Sequence, residues 1–259
     1  MTNPSISDDA YNVIILAGGS GGPLADATGV AEKALLEIHG QAMLDRVVGA
    51  FSDSPEVGQI VVVGSDHLDE MECMPQVRKR IPQGINAVQN LLHAVGYIKT
   101  RLYGGSKNHQ GYVISFCDTV FLDQAIISET LRSIRDVDAD IVLHYVERST
   151  FEKAGLPAER TYIPIGDGHY TGTGIYYVRA FSKVLASLDK LARMRKNRKD
   201  PQGILRVIDC EGEDFPAIET ALSQHLDARV RILVSPHAGM GMDVDKPSDY
   251  ELAKTLLAE

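Results

Sequence analysis

Long hydrophobic runs, paired cysteines and an excess of positive charge are all missing from this sequence of 259 residues. No apolar stretch approaches the roughly 20 residues that cross a bilayer. The polar start, MTNPSISDDA, has no positively charged segment followed by an apolar one, so neither a signal peptide nor a membrane partner is predicted. The expected location is cytoplasmic.

Cysteine is scarce, and its spacing excludes two classes of small domain. The three cysteines, Cys73, Cys117 and Cys210, are odd in number and far apart. This pattern argues against a disulfide framework and against a zinc site. The eight histidines also show no spacing typical of a catalytic triad or a metal site. We therefore expect reduced thiols that are mostly structural.

The net charge of −9 comes from 35 acidic and 26 basic residues. The field of such a molecule repels polyanions, so a nucleic-acid partner is not predicted. An anionic ligand would have to be bound locally, by backbone NH groups, by a few basic side chains or by a bound cation.

Apolar runs rich in valine, isoleucine and tyrosine alternate with segments of helical spacing. The predicted strands are 12–18, 59–64, 111–117, 139–146, 174–179 and 230–234, and the predicted helices include 43–51, 87–98, 125–134, 181–192 and 247–257. This alternation predicts an α/β fold, with helices on both faces of a mainly parallel, mixed sheet in a three-layer α/β/α arrangement. The alternation fails between about 148 and 175, in a turn-rich segment that suits a hairpin or an antiparallel strand. It fails again in a charged zone, 193–216, which predicts an exposed loop followed by a short helix starting near Pro201. We expect one domain, 1–259, with an irregular insertion around 148–216 on the acceptor side.

A glycine-rich segment, LAGGSGG (16–22), follows the first predicted strand. Glycines let backbone NH groups approach a polyphosphate, and ligands of open α/β sheets bind at this edge. The dinucleotide fingerprint does not fit, because Leu24 occupies its third glycine position. The Walker A pattern does not fit either, because Lys33 lies between Glu32 and Ala34.

LAGG, a loop and then KALL (33–36) resemble the signature of the MobA-like and sugar-phosphate nucleotidyltransferases, L-A-[AG]-G-x-[GS]-x-R-[ML] followed by P-K. The resemblance implies a Rossmann-like fold of the GT-A type, a loop that wraps the triphosphate, and a catalytic Lys33 that neutralises its charge. The implied nucleotide-binding residues of this loop are Leu16, Ala17, Gly18, Gly19, Ser20, Gly21 and Gly22. The chain departs from the signature in two places, because the arginine is absent and Glu32 replaces the proline.

Two further segments resemble the family in the expected order. IPQGINAVQN (81–90) is similar to the family's Q-x-G-T segment, which implies that Gln83, Gly84 and Asn86 read the nucleobase. GYVISFCDTVFL (111–122) places Asp118 directly after a buried strand. The resemblance implies that this aspartate is catalytic and holds magnesium, and a carboxylate at a sheet edge is a ligand that a hard cation prefers.

Two more segments complete the resemblance. TGTGIYYVR (171–179) is similar to the family's N-T-G-I segment and implies acceptor binding by Gly172, Thr173 and Gly174. MGMDVDKPSDYELAKTLL (240–257) resembles the closing element and implies that Asp245 is the second catalytic magnesium ligand. Asp243, two residues earlier, is the alternate ligand.

The implied reaction is a magnesium-dependent transfer of a nucleoside monophosphate from an NTP to a phosphorylated small molecule, with release of pyrophosphate. Two alternatives stay open. The first is a protein that binds nucleotides or sugar phosphates without catalysis, because the signature arginine is missing. For an active enzyme, Lys107, Arg160 or the 193–199 cluster would replace that arginine. A glycosyltransferase is disfavoured, because the segment at Asp118 lacks the Asp-x-Asp pattern. The sequence indicates no particular acceptor, NTP or oligomeric state.

Overall fold

The computed structural model describes residues 10–19, 21–102, 110–187, 189–190, 193, 200–212 and 214–258. The chain divides into two compact units. The first unit comprises Met1–Arg132 and Met242–Glu259, and the second comprises Ser133–Gly241. The expectation of a single domain with an insertion stays a prediction.

Four parallel strands form the sheet of the first unit. They are β1 (Tyr11–Leu16), β4 (Val57–Gly64), β5 (Lys79–Pro82) and β6 (Tyr112–Phe116), in the order β5-β4-β1-β6. All six residues of β1 are buried, as expected for a central strand that is covered on both faces. The short strands β2 (Glu37–Ile38) and β3 (Gln41–Ala42) pair separately and antiparallel. Parallel pairing brings the carboxyl ends of the four long strands to one edge.

Helices of the first unit follow most of these strands. They are α1 (Pro23–Thr28), α2 (Met43–Ser52), α3 (Ala87–Tyr97), α4 (Gln124–Arg135, which extends into the second unit) and α9 (Pro247–Leu256). Helix α2 buries residues at helical spacing, including Leu44, Val48 and Phe51, because one apolar stripe faces the core. Three 3-10 turns, Lys33–Leu35, Asp66–Glu70 and Met74–Gln76, and a π-helical turn, Ile98–Leu102, complete the unit.

The second unit combines parallel and antiparallel strands. Strand β7 (Ile141–Glu147) pairs parallel with β10 (Val230–Ser235) and antiparallel with β9 (Gly168–Val178), which also pairs with β8 (Ile163–Ile165). Its helices are α5 (Arg148–Lys153), α6 (Phe181–Ala186), α7 (Pro201–Val207) and α8 (Phe215–Leu226). One apolar core joins β10 to α8 through residues that include Ile218, Leu222 and Ile232.

The predicted fold class is confirmed, because the protein is an α/β protein with a mixed, mostly parallel arrangement of strands. The hairpin β8–β9 lies where the irregular segment indicated one. Strand β5 and helix α8 were not predicted. Within the part of the chain that the structure describes, no helix combines the length and the apolar character needed to cross a membrane.

Candidate active site

The glycine loop begins where β1 ends, between two neighbouring strands. The NH of Ala17 donates to Val63 O at 2.8 Å, and the NH of Cys117 donates to Leu16 O at 3.2 Å. Gly19, Gly21 and Gly22 have φ angles of 135°, 80° and 92°, a region that favours glycine. These three glycines are exposed, and a Cβ atom on any of them would meet open space. The loop therefore presents accessible backbone to a ligand, whereas Ser20 lies outside the described residues.

Lys33 brings together three segments that are far apart in the sequence. Its Nζ donates to Asp118 Oδ2 at 2.6 Å, to Asp245 Oδ1 and to Val244 O at 3.4 Å. The NH of Val244 also donates to Asp118 O at 3.0 Å. The three predicted catalytic side chains thus meet at one point, at the edge where β1 and β6 end.

Local structure orients each member of this group. Lys33 begins a 3-10 turn, and Asp118 lies in the turn directly after β6. Asp245 immediately precedes Lys246, the N-cap of α9. The Asp249 carboxylate accepts hydrogen bonds from the NH groups of Asp245 at 3.2 Å and Lys246 at 3.1 Å. The start of α9 therefore holds the backbone that carries Asp245.

The charges in this group are unequal. The side chains of Lys33, Asp118 and Asp245 are 28%, 16% and 63% exposed. Burial opposes the charge on Lys33, but Asp118 and Asp245 outweigh it, so the pKa of Lys33 is raised. Burial also raises the pKa of Asp118, and Lys33 offsets only part of this effect. One ammonium facing two carboxylates leaves a net negative charge, which favours a further cation.

Cys117, next to Asp118, is not a candidate nucleophile. Burial, assisted by the charge of Asp118, raises the pKa of its thiol to about 12. Since the thiolate is the reactive form, this cysteine stays an inert thiol at neutral pH.

The predicted base-reading turn lies beside the glycine loop. The NH of Gln83 donates to Gly64 O at 3.3 Å, and a Cβ atom on Gly18 would collide with the Gln83 side chain. The NH of Gly84 donates to Oδ1 of Asn90, which lies in α3, at 2.6 Å. Asn86 is the N-cap of α3, and its Oδ1 accepts from the NH of Gln89 at 2.9 Å. Each of the three predicted base readers therefore has one polar group engaged in a hydrogen bond within the protein.

The predicted acceptor residues lie on β9 of the second unit. Thr173 is buried, and its hydroxyl bonds to the backbone of Ile175 at 3.3 Å, whereas Gly172 is exposed and Gly174 is half-buried. Their role in acceptor binding stays a prediction, and so does the alternate role of Asp243.

Of the cations considered as replacements for the arginine, Arg160 lies in the second unit, where its guanidinium stacks on the Phe151 ring at 5.7 Å. Lys107 and residues 194–199 lie outside the described residues. Arg193 is described and exposed. A replacement from these positions stays a prediction.

A contact that the sequence analysis did not predict involves Glu32. Its carboxylate accepts from the Ser65 hydroxyl at 2.7 Å and from His67 Nδ1 at 2.6 Å. The sequence feature that could have indicated this contact is the position of Glu32 directly before Lys33, where the family signature has a proline.

The donor set at this point suits magnesium that is shared with phosphates. Asp118 and Asp245 both contact a single Nζ atom, so their oxygens lie within reach of one cation. Magnesium in proteins is usually bound by one or two carboxylates together with phosphates and water. Among the described residues, no group of three or more histidine, cysteine or acidic side chains could hold a metal. The two carboxylates therefore fit a nucleotide-associated ion rather than a cage built from protein alone.

Comparison with known proteins defines the class. The model of the MobA-like NTP transferase domain matches residues 13–206, so the chain belongs to this family and is a nucleotidyltransferase. The predicted family is confirmed. No curated protein sequence matches the chain.

Solved structures show the same fold over nearly the whole chain. A hypothetical transferase from Thermus thermophilus is 22% identical, with a TM-score of 0.75, and the match covers 93% of this chain and 99% of that one. A CMP:2-keto-3-deoxy-manno-octonic acid synthetase complexed with CTP is 14% identical, with a TM-score of 0.61 and coverage of 96% and 98%. A 4-diphosphocytidyl-2C-methyl-D-erythritol synthase from Anaerococcus prevotii is 13% identical, with a TM-score of 0.56 and coverage of 97% and 99%. At these identities the likeness concerns the fold alone.

Proposed function

We propose that this protein transfers a nucleoside monophosphate from an NTP to a phosphorylated small molecule, in a magnesium-dependent reaction that releases pyrophosphate. The observation that carries the proposal is the contact of the Lys33 ammonium with both Asp118 and Asp245. This group lies where β6 ends, next to the end of β1, from which the open glycine loop continues. A polyphosphate requires this combination of backbone NH groups, an ammonium and carboxylates that can hold a cation.

In this proposal the protein positions the reactants and balances their charge. A phosphate oxygen of the acceptor attacks the α-phosphorus of the NTP, and pyrophosphate leaves from the opposite side. Backbone NH groups of the loop from Gly18 to Gly22 bind the β- and γ-phosphates, apart from the NH of Gly21, which donates to Ala31 O at 3.1 Å. Lys33 stabilises the charge that develops during transfer. Asp118 and Asp245 would hold the magnesium ion, which neutralises phosphate charge when it is bound. No cysteine or histidine nucleophile is required.

The proposal is tested by pyrophosphate release. The protein is incubated with magnesium, each of the four common NTPs and a panel of sugar, polyol and pterin phosphates. CTP belongs in the panel because one structural neighbour is described in complex with it. We expect one pairing to release pyrophosphate in proportion to the acceptor consumed, and EDTA or omission of the acceptor to stop the release.

Other outcomes of the same assay would contradict the proposal. Tight NTP binding without pyrophosphate release from any acceptor would favour a non-catalytic binding protein. Transfer of the sugar from a nucleotide sugar would favour a glycosyltransferase.

A further inference from the structure

The inference concerns Glu32, whose carboxylate is held on both of its oxygens. The side chain is only 12% exposed. Oε2 accepts from the Ser65 hydroxyl at 2.7 Å, and Oε1 accepts from His67 Nδ1 at 2.6 Å. Burying a carboxylate is costly unless hydrogen bonds satisfy it. These two contacts therefore make Glu32 a fixed point of the structure.

The two partners of Glu32 belong to the segment that follows β4. Ser65 comes directly after the last residue of β4 and caps the 3-10 turn that contains His67. Glu32 itself is the N-cap of the 3-10 turn that begins with Lys33. Its carboxylate thus links the Lys33 turn to the carboxyl edge of the sheet.

The backbone at Glu32 directs neighbouring side chains to different partners. Glu32 is extended, with φ −111° and ψ 118°, so consecutive side chains point in roughly opposite directions. Glu32 points to Ser65 and His67, and Lys33 points to Asp118 and Asp245. The 3-10 turn that begins with Lys33 is closed by two hydrogen bonds, from Leu35 N to Glu32 O at 3.0 Å and from Leu36 N to Lys33 O at 3.1 Å.

A restraint at this position matters because lysine carries its charge on a flexible stem of four carbons. The family signature has a proline at this position, which fixes φ near −65°, whereas Glu32 has a φ of −111°. Here the hydrogen bonds of the Glu32 carboxylate restrain the backbone instead. Hydrogen bonding to Glu32 also raises the pKa of His67, which favours the protonated form that donates to the carboxylate.

We infer that Glu32 is a positioning residue: anchored by Ser65 and His67, it fixes the turn that directs the Lys33 ammonium to Asp118 and Asp245. The kinetic consequence rests on the proposed nucleotidyl transfer, whereas the structural consequence does not. Glu32 acts through Lys33 and contacts no substrate.

A double-mutant cycle tests the kinetic consequence. We expect Glu32→Ala to lower kcat/KM for the NTP by about tenfold to a hundredfold, the usual effect of residues that orient catalytic groups. Glu32→Gln keeps an oxygen for Ser65 and should retain an intermediate rate. In a Lys33→Ala background, Glu32→Ala should change kcat/KM by less than about twofold, because coupled residues are not additive. An equal loss in both backgrounds would overturn the inference, since Glu32 would then act independently of Lys33.

Hydrogen exchange tests the structural consequence without any substrate. In the nucleotide-free 259-residue chain, we expect the amides of Leu35 and Leu36 to exchange faster in Glu32→Ala than in the wild type. If no NTP and acceptor pair is turned over, the proposed function fails while this measurement still decides the role of Glu32. Unchanged exchange at both amides would overturn the inference.

Glu219→Ala is the matched control for both measurements. Glu219 is also a largely buried anchoring carboxylate, with its Oε1 accepting from the NH of Ile232 at 2.7 Å, but it lies in the second unit. We expect this variant to lower the melting temperature without slowing turnover through Lys33. A comparable loss of kcat/KM in this control would show that removing any anchoring carboxylate slows the enzyme, and would overturn a specific role for Glu32.

Discussion

The group formed by Lys33, Asp118 and Asp245 balances one positive against two negative charges. Its members differ in exposure, and Asp245 is the most exposed of the three. An exposed ion pair contributes little to stability, and a buried pair is costly to desolvate. The group is therefore better explained by ligand binding than by stabilisation of the fold.

Substitution of Asp118 separates these two roles. We expect Asp118→Asn to reduce turnover by about a hundredfold or more, because a proposed carboxylate ligand of the magnesium ion is lost. The melting temperature should change little, because the variant avoids the cost of burying a carboxylate but removes one partner of the Lys33 ammonium, which keeps Asp245. Pyrophosphate release and thermal unfolding measure the two effects. An undiminished rate in Asp118→Asn would refute the proposed metal site.

Gly18 owes its importance to a close neighbour and not to a special backbone angle. A Cβ atom there would collide with the Gln83 side chain. Because that side chain is exposed and can move aside, we expect Gly18→Ala to change the free energy of unfolding by no more than about 0.5 kcal/mol and to weaken NTP binding, as measured by urea unfolding and titration calorimetry.

The control for this prediction is Gly49→Ala. Gly49 lies inside α2, where a Cβ atom would meet open space, so alanine should stabilise that helix by about 0.5–1 kcal/mol. Unchanged NTP affinity in Gly18→Ala would contradict a role for the close approach of Gly18 and Gln83 in nucleotide binding.

At the scale of elements, the start of α3 serves two purposes. Asn86 caps the helix through its Oδ1 atom. This bond does not use the side-chain NH₂ group, which can donate to a ligand. A residue that caps a helix and also reads a base should affect both stability and selectivity when it is replaced.

We expect Asn86→Ala to lower the free energy of unfolding by about 1 kcal/mol, the usual effect of losing an N-cap. We also expect weaker discrimination among NTPs, measured as the ratio of kcat/KM values. Asp214→Ala is the matched control, because Asp214 caps α8 through the same i to i+3 contact with Ala217. Equal losses of stability with unchanged selectivity in both variants would remove Asn86 from base recognition.

The second unit has its own electrostatic anchor, Asp140. Its carboxylate accepts from the NH of Arg229 at 3.0 Å and from Lys183 Nζ at 3.3 Å, and it pairs with Arg179 at 3.5 Å. Burial alone would raise its pKa, but the contacts with Arg229 and Lys183 outweigh burial and lower the pKa to about 2.

At the scale of the whole molecule, this depressed pKa predicts how stability depends on pH. A carboxyl with a lowered folded pKa stabilises the protein above its unfolded pKa of about 3.9 and loses that contribution as the pH falls towards the folded value. We expect Asp140→Asn to cost about 1–2 kcal/mol at pH 7, and the difference from the wild type to shrink between about pH 4 and pH 2. Urea unfolding across this range provides the measurement.

Asp138→Asn is the control for the pH prediction. Asp138 pairs with Arg179 and Arg229 but is highly exposed, so its removal should have a smaller effect. A constant difference between Asp140→Asn and the wild type from pH 7 to pH 2 would contradict the assignment.

Local sequence pattern was sufficient for the fold class, and it predicts single positions of the candidate site. Alternating strands and helices predict an α/β fold, and Asp118 directly after an apolar run predicts a carboxylate at a sheet edge. Strand β5 escaped prediction because its four residues, KRIP, carry little apolar pattern. The bound NH of Gly84 escaped because its partner, Asn90, lies further along α3.

What the sequence by itself determined about this protein is the alternation of its elements and the order of its motifs, because side-chain period and backbone preference act over a few residues. Only the tertiary structure decided that Lys33 meets Asp118 and Asp245, and that Glu32 is held by Ser65 and His67. These partners are separated by 85, 212, 33 and 35 positions in the chain. Parallel strand pairing is the physical reason for this difference, since it gathers the ends of distant strands at one edge whatever their separation in sequence.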